Sequence, residues 1–229
     1  MIRVYWRQSA LDLEMIVFYY PAMRPVPIAS APRSRGPGRP REFDMDDALD
    51  KAIRVFRESG YHATSIESLA TGMGLASGSI YKAFKDKREV FIAALDRYIM
   101  LRNQQVRAVA DTGKSGLRRL RDVLTFYVAS SQGAEGQRGC LVVGTATQLA
   151  TFDGEIAKRV STVLKSNHAF LTTLIVRGQA DGSIRQDLNA SATAGLMVCM
   201  TQGMRVVGKT GSTIVKSSSL VNLALKLVS

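Results

Sequence analysis

Residues 66–85 read IESLATGMGLASGSIYKAFK, and residue sizes follow in the order that two short helices crossing at a tight turn require. Ala70 is small where the helices press together. Gly74 comes just past the end of the first helix, where a left-handed backbone is cheap for glycine. Leu69, Met73, Leu75 and Ile80 supply an apolar seam, and Ser77, Ser79, Tyr81 and Lys82 are left facing outward. The pattern predicts a helix-turn-helix hairpin over about 65–85. Any helical hairpin needs one small residue and one glycine, so the flanks must decide.

Upstream lies REFDMDDALDKAIRVFRESGYHATS, residues 41–65. Asp44 is placed to cap a helix, and Asp47 adds negative charge to its first turn. Met45, Ala48, Leu49, Ala52, Ile53 and Phe56 recur at three- and four-residue steps, giving one apolar face, and Gly60 should end it. Thr64 and Glu67 then read as a T-x-x-E capping box that starts the second helix. After the hairpin a new helix begins at Asp86 or Lys87 and runs for several turns.

Residues 41–101 resemble the amino-terminal domain of the TetR/AcrR family of bacterial transcriptional regulators. The match rests on Phe56, Gly60, Tyr61, Thr64, Ser65, Leu69, Ala70 and Gly74. It continues through Gly78, Ser79, Ile80 and Tyr81 to Phe84, Lys87 and Val90. One position departs: family members often carry histidine where this chain has Ala83, so a phosphate contact is lost or passes to Lys82 or Lys85. The resemblance implies an all-α protein: a three-helix DNA-binding head at 41–101 and a larger helical effector-binding and dimerisation body at 102–229. It also implies that Ser77, Gly78, Ser79, Tyr81 and Lys82, at the start of the recognition helix, meet bases and the adjacent backbone in the major groove. Thr64 and Lys87, at helix starts, are expected as phosphate anchors; plain capping and a solvated charge are their alternatives.

Residues 32–41, PRSRGPGRPR, combine four arginines with prolines and glycines that forbid helix and sheet. Arg39 and Arg41 are placed as a minor-groove arm; a solvated basic tail is the other possibility. The preceding residues 1–30 read as a disordered extension, or as upstream of a true start at Met23. Arg3, Arg7 and Ala29-Ser30-Ala31 only faintly imitate a secretory signal, which Asp12 and Glu14 interrupt.

The 229-residue chain carries a net charge of +12 and is 46% hydrophobic, as suits a packed protein with a polyanionic partner. Most of the excess lies outside the head: residues 103–229 hold 15 basic against 7 acidic side chains, residues 33–102 hold 13 against 10. Charge alone is therefore weak evidence for DNA. Two cysteines, Cys140 and Cys199, and two histidines, His62 and His168, fit neither a disulfide framework nor a zinc site, so no metal or cofactor is expected and a reducing cytoplasm suits the chain. No apolar run has the length of a membrane span. An enzyme needs a base beside a nucleophile, and neither histidine has a recognisable partner.

From about residue 102 the chain reads as helices. Leu117, Leu120, Leu124 and Val128 mark one, a loop is expected over 131–139, and 140–150 suits a short helix. A long helix follows over 153–180, then two more over 190–207 and 212–228. The resemblance implies that the last two pair with a second copy to form a homodimer reading a palindromic operator on double-stranded DNA. It further implies a pocket for an inducing small molecule of unknown identity among the middle helices. Phe126, Tyr127, Cys140, Val143, Thr147, Phe170 and Leu174 are the candidate lining, with plain core as their alternative. Cys140 opens a helix beside Arg138, where exposed amides and positive charge favour a thiolate, so an electrophile- or redox-sensing regulator is one variant; Cys199 reads as structural. The other is a helical interaction module of the same fold that has lost specific DNA binding.

Overall fold

The computed structural model describes residues 43–212 and 217–229. Among the described residues it holds ten α-helices and no strand: α1 (Met45–Ala63), α2 (Ile66–Met73), α3 (Ser77–Ala83), α4 (Lys87–Asp111), α5 (Gly116–Ala129), α6 (Gly133–Arg138), α7 (Leu141–Gln148), α8 (Gly154–Ala180), α9 (Ala190–Lys209) and α10 (Ser217–Lys226).

The head assembles as the apolar pattern dictates. Asp44 accepts from the amides of Asp46 and Asp47 to start α1, whose Ala48, Leu49, Ala52, Ile53 and Phe56 are buried. Met45, expected on that face, sits in the first turn of α1 and is 40% exposed. Phe56 meets Phe91 of α4 edge to face at 5.0 Å. Arg97 of α4 grips Asp50 through Nε and Nη2, both at 2.7 Å, so α1 and α4 are held by core and ion pair together.

Two local details differ from expectation. Gly60 kinks α1 at φ 77°, ψ 170°, a backbone reserved for glycine, and helical residues continue to Ala63. The cap of α2 is Ser65, whose Oγ accepts from the amide of Ser68 at 3.1 Å. Thr64 is 1% exposed, and its hydroxyl donates to the Gly60 carbonyl at 2.6 Å. The kink leaves that carbonyl without a helical donor, and Thr64 supplies one. Gly74 ends α2 in the left-handed conformation at φ 68°.

The body holds a second apolar cluster among α5, α8, α9 and α10, centred on Leu120, Leu124, Leu171, Leu174 and Ile175. The head's own cluster does not stop at α4: it runs on through Leu141, Val142 and Leu149 of the α7 region to Ile156, Val160 and Val163 of α8. Helix α4 likewise passes unbroken through residue 102, where the sequence placed a boundary. The loop expected over 131–139 contains α6, a short helix that its two flanking glycines made hard to foresee. Cys199 is exposed rather than structural, because it lies on the outer stripe of α9.

Candidate nucleic-acid interface and adjoining cavities

Helix α3 is pinned from beneath. Ile80 is 1% exposed and Phe84, its cap residue, 9%, both inserted into the core shared with Leu69 and Met73. The opposite side is open: Tyr81 is 57% exposed, Gly78 and Lys82 are exposed, and Ser77 and Ser79 are half-buried. No atom lies within 4 Å of a Cβ built on Gly78, so that point of α3 admits close approach of another molecule. The five residues expected on the recognition surface thus share one exposed end of the head. Arg39 and Arg41 lie outside the described residues.

The two expected anchors behave differently. Thr64 is withdrawn, since its buried hydroxyl is already spent on Gly60; a phosphate could reach its side chain only by unfolding the cap. Lys87 is half-buried, and its Nζ donates to the carbonyls of Tyr61 at 3.0 Å and Thr64 at 2.9 Å. It also sits 4.4 Å over the Tyr61 ring. A cation here answers the negative end of α1, so Lys87 buckles the fourth helix to the α1–α2 turn. Burial, and then Asp86, raise the Tyr61 hydroxyl above its ordinary range. The Ser65 hydroxyl, and then the Glu67 amide, hold the Glu67 carboxyl below the usual carboxylate range.

Two of the cavities among the described residues bear on this surface. The larger, about 380 Å³, runs between the end of α1, α7 and the end of α9, bordered by Phe56, Tyr61, Cys140, Val143, Thr147 and Arg205. The smaller, inner one, about 40 Å³, is bordered by Tyr98, Arg102, Tyr127, Cys140, Val142 and Arg205. Of the expected lining, Cys140 reaches both, Tyr127 the inner one, and Val143 and Thr147 the outer one. Phe126, Phe170 and Leu174 line neither. Leu174 is 1% exposed in the second core cluster, Phe126 carries the Arg102 guanidinium at 4.6 Å, and Phe170 that of Arg107 at 5.5 Å.

Arg57 joins the head to these cavities. Its Nε donates to Gly139 O at 2.8 Å, and its Nη2 to Glu135 Oε1 at 2.7 Å. Lys209 of α9 meets the same place, donating to the carbonyls of Arg57 at 2.8 Å and Arg138 at 3.1 Å. On the far side Arg88 binds Asp153 through Nε at 2.6 Å and Nη2 at 3.1 Å. That guanidinium, with the amides of Glu155 and Ile156, holds the Asp153 carboxyl down at about 2. Arg57, Tyr98, Arg102 and Arg205 were not foreseen. Arg205 alone gave a signal, as one charge in the apolar run from Met204 to Val207.

Comparison with known proteins agrees with this geometry. Residues 48–94 match the family described as bacterial regulatory proteins, tetR family, and residues 116–210 a tetracyclin repressor-like C-terminal domain. Over 196 residues the chain is 30% identical to the HTH-type transcriptional repressor ComR of Escherichia coli (strain K12), covering 83% of this chain and 91% of that protein. It is 28% identical over 158 residues to an uncharacterized HTH-type transcriptional regulator, YezE, of Bacillus subtilis (strain 168), covering 69% and 81%. Among solved structures, a cysteine mutant of the TetR family transcriptional regulator CifR, complexed with 26-bp double-strand operator DNA, superposes with a TM-score of 0.74. Its identity is 28%, over 84% of this chain and 100% of that one.

Proposed function

Because this chain belongs to the TetR family of bacterial regulatory proteins, we propose that it represses transcription as a homodimer on a palindromic operator and is released by a small molecule. The observation that carries this is α3, held by a buried Ile80 while Tyr81 stands 57% exposed beside it. A rod anchored on one side and bare on the other can enter a major groove without rearrangement. Ser77, Gly78, Ser79, Tyr81 and Lys82 face the duplex, with Lys87 beside them and Arg39 and Arg41 reaching the minor groove. The operator-bound CifR structure supports DNA as the partner, and the name of ComR supports repression.

Dimerisation is supported by apolar residues left at the surface of the last two helices. On α9, Leu196 and Val206 are 56% and 52% exposed and flank exposed Cys199 and Gly203; Leu223 on α10 and Leu227 just past its end are 63% and 46% exposed. An apolar stripe of this kind is stable in water when a second copy covers it. Release is supported by cavities that abut the Arg57 clamp, where a ligand between α7 and α9 pushes on the end of α1. The site of action is the bacterial cytoplasm, and no helix among the described residues is long and apolar enough to cross a membrane.

The test is fluorescence anisotropy with the palindrome upstream of the chain's own gene. The double variant Tyr81→Ala/Lys82→Ala loses specific binding while sedimentation still finds a dimer. Random duplex competing as well as the palindrome against the unaltered protein overturns the proposal in favour of a module without specific DNA binding. Cys140 borders both cavities at the start of α7 and supports a second trigger, capture of an electrophile by its sulfur. N-ethylmaleimide then releases operator from the unaltered protein but not from Cys140→Ser; equal release from both excludes that trigger.

A further inference from the structure

The inner cavity is positively charged and holds unmet donors. Arg205 is 4% exposed; its Nη1 donates to Ser130 O at 2.9 Å, and its guanidinium lies 6.0 Å from the Tyr127 ring centre. Arg102 gives Nη1 to Gln105 Oε1 at 3.2 Å, while its Nη2 is buried without a hydrogen-bond partner among the described residues. Tyr98, 5% exposed, likewise buries an Oη without a partner. None of the residues bordering the cavity is acidic. Glu135, the carboxylate whose field reaches Arg102, is spent on Arg57 at 2.7 Å. Burial, and then the like charge of Arg205, hold Arg102 below the ordinary guanidinium range.

Arg205 buries its guanidinium beside the half-buried one of Arg102, with no carboxylate bordering the cavity; that is costly, and the unmet buried Nη2 donor of Arg102 adds to the cost. Proteins keep such an arrangement where a ligand completes it. Water would accept from Tyr98 and Arg102 yet leave both charges uncompensated. An anion with two acceptor oxygens answers donors and charge at once. At about 40 Å³ the space equals roughly three water-sized spheres, which is room for a carboxylate head and one or two carbons.

We propose that this cavity binds a short-chain monocarboxylate, whose oxygens accept from Arg102 Nη2 and Tyr98 Oη while Arg205 supplies the second positive charge. This deepens the effector reading above and rests on it for the consequence at DNA, though not for the binding. The coupling route is on hand: Tyr98 and Arg102 belong to α4, Arg205 to α9, and the Arg57 guanidinium that clamps α1 lies 5.6 Å over the Tyr98 ring.

Calorimetry on the full chain with sodium propionate, at ionic strength held with sodium chloride, tests this directly. Saturable binding of propionate is expected, with none for propionamide, which has the same shape without the charge. Tyr98→Phe removes a hydroxyl that has no partner to lose, so it folds normally and weakens propionate binding about tenfold. Arg102→Gln weakens it at least as much. Propionate that behaves no differently from chloride overturns the proposal, as does unchanged affinity in Tyr98→Phe. Operator release by propionate is read separately by anisotropy. Binding without release sinks carboxylate-induced derepression and sustains the cavity's ligand; release that persists undiminished in Tyr98→Phe overturns the cavity as its site.

Discussion

Replacing Arg57 with alanine cuts the tie between the head and the segment that leads into α7, and the structure sets the size of the loss. The Arg57 side chain is 9% exposed, and its partner Glu135 is 37% exposed. The ion pair is therefore screened by water and contributes about 1 kcal/mol or less. The Gly139 carbonyl at 2.8 Å is different: it belongs to a buried residue, and without Arg57 it keeps no charged donor, at a cost of about 2 kcal/mol. Together Arg57→Ala should lower unfolding free energy by about 3 kcal/mol. Urea denaturation followed by circular dichroism measures this, at one fixed protein concentration because a dimer's stability depends on it. A double-mutant cycle with Glu135→Ala should return a coupling of about 1 kcal/mol, so that removing Arg57 still costs about 2 kcal/mol when Glu135 is already gone. A loss below about 1 kcal/mol for Arg57→Ala, the range of an exposed pair, would falsify the account of a clamp built on carbonyls.

Further outcomes follow from the same contacts. Asp153 is held at about 2, below its ordinary 3.8, so its ion pair stabilises the fold fully above about pH 4 and is lost as pH falls toward 2. Asp153→Asn is therefore less stable than the unaltered protein at pH 7, and the two should converge in acid melts by about pH 2; a gap that stays constant with pH rejects the pairing with Arg88. Gly60→Ala places a side chain in a backbone region open to glycine alone and brings its Cβ to 3.2 Å from Gln148 Oε1. It should cost about 1–3 kcal/mol, more than Gly74→Ala at about 1 kcal/mol, where nothing lies within 4 Å; thermal melts that reverse this order refute the ranking. Ser65→Ala should cost about 1 kcal/mol, and Thr64→Ser about 1 kcal/mol for the lost buried methyl alone, since either hydroxyl can donate to Gly60. No loss on Ser65→Ala would take the cap of α2 away from Ser65.

The head was legible because its physics is local. Ala70, Gly74 and the seam of Leu69, Met73, Leu75 and Ile80 declare a hairpin through size, backbone freedom and period, all properties of neighbours in the chain. The same held for Asp44 as a helix cap and for the long helix expected over 153–180. One local feature misled. Thr64 and Ser65 are equally good caps in a string of letters, and only the kink at Gly60 makes Thr64 turn inward.

What spans distant segments stayed hidden, because hydrophobic period says which face is buried and not against what. Phe126, Phe170 and Leu174 have the right character for a pocket wall, yet packing gave them to core and to cation–π contacts. Arginines on helices read as solvated, and composition could not reveal that Arg102 and Arg205, about a hundred residues apart in sequence, converge on Tyr98. Near-neighbour chemistry made this chain a helical DNA reader. The meeting of α4, α7 and α9 decided where its charge is buried, because those contacts join residues that no local pattern relates.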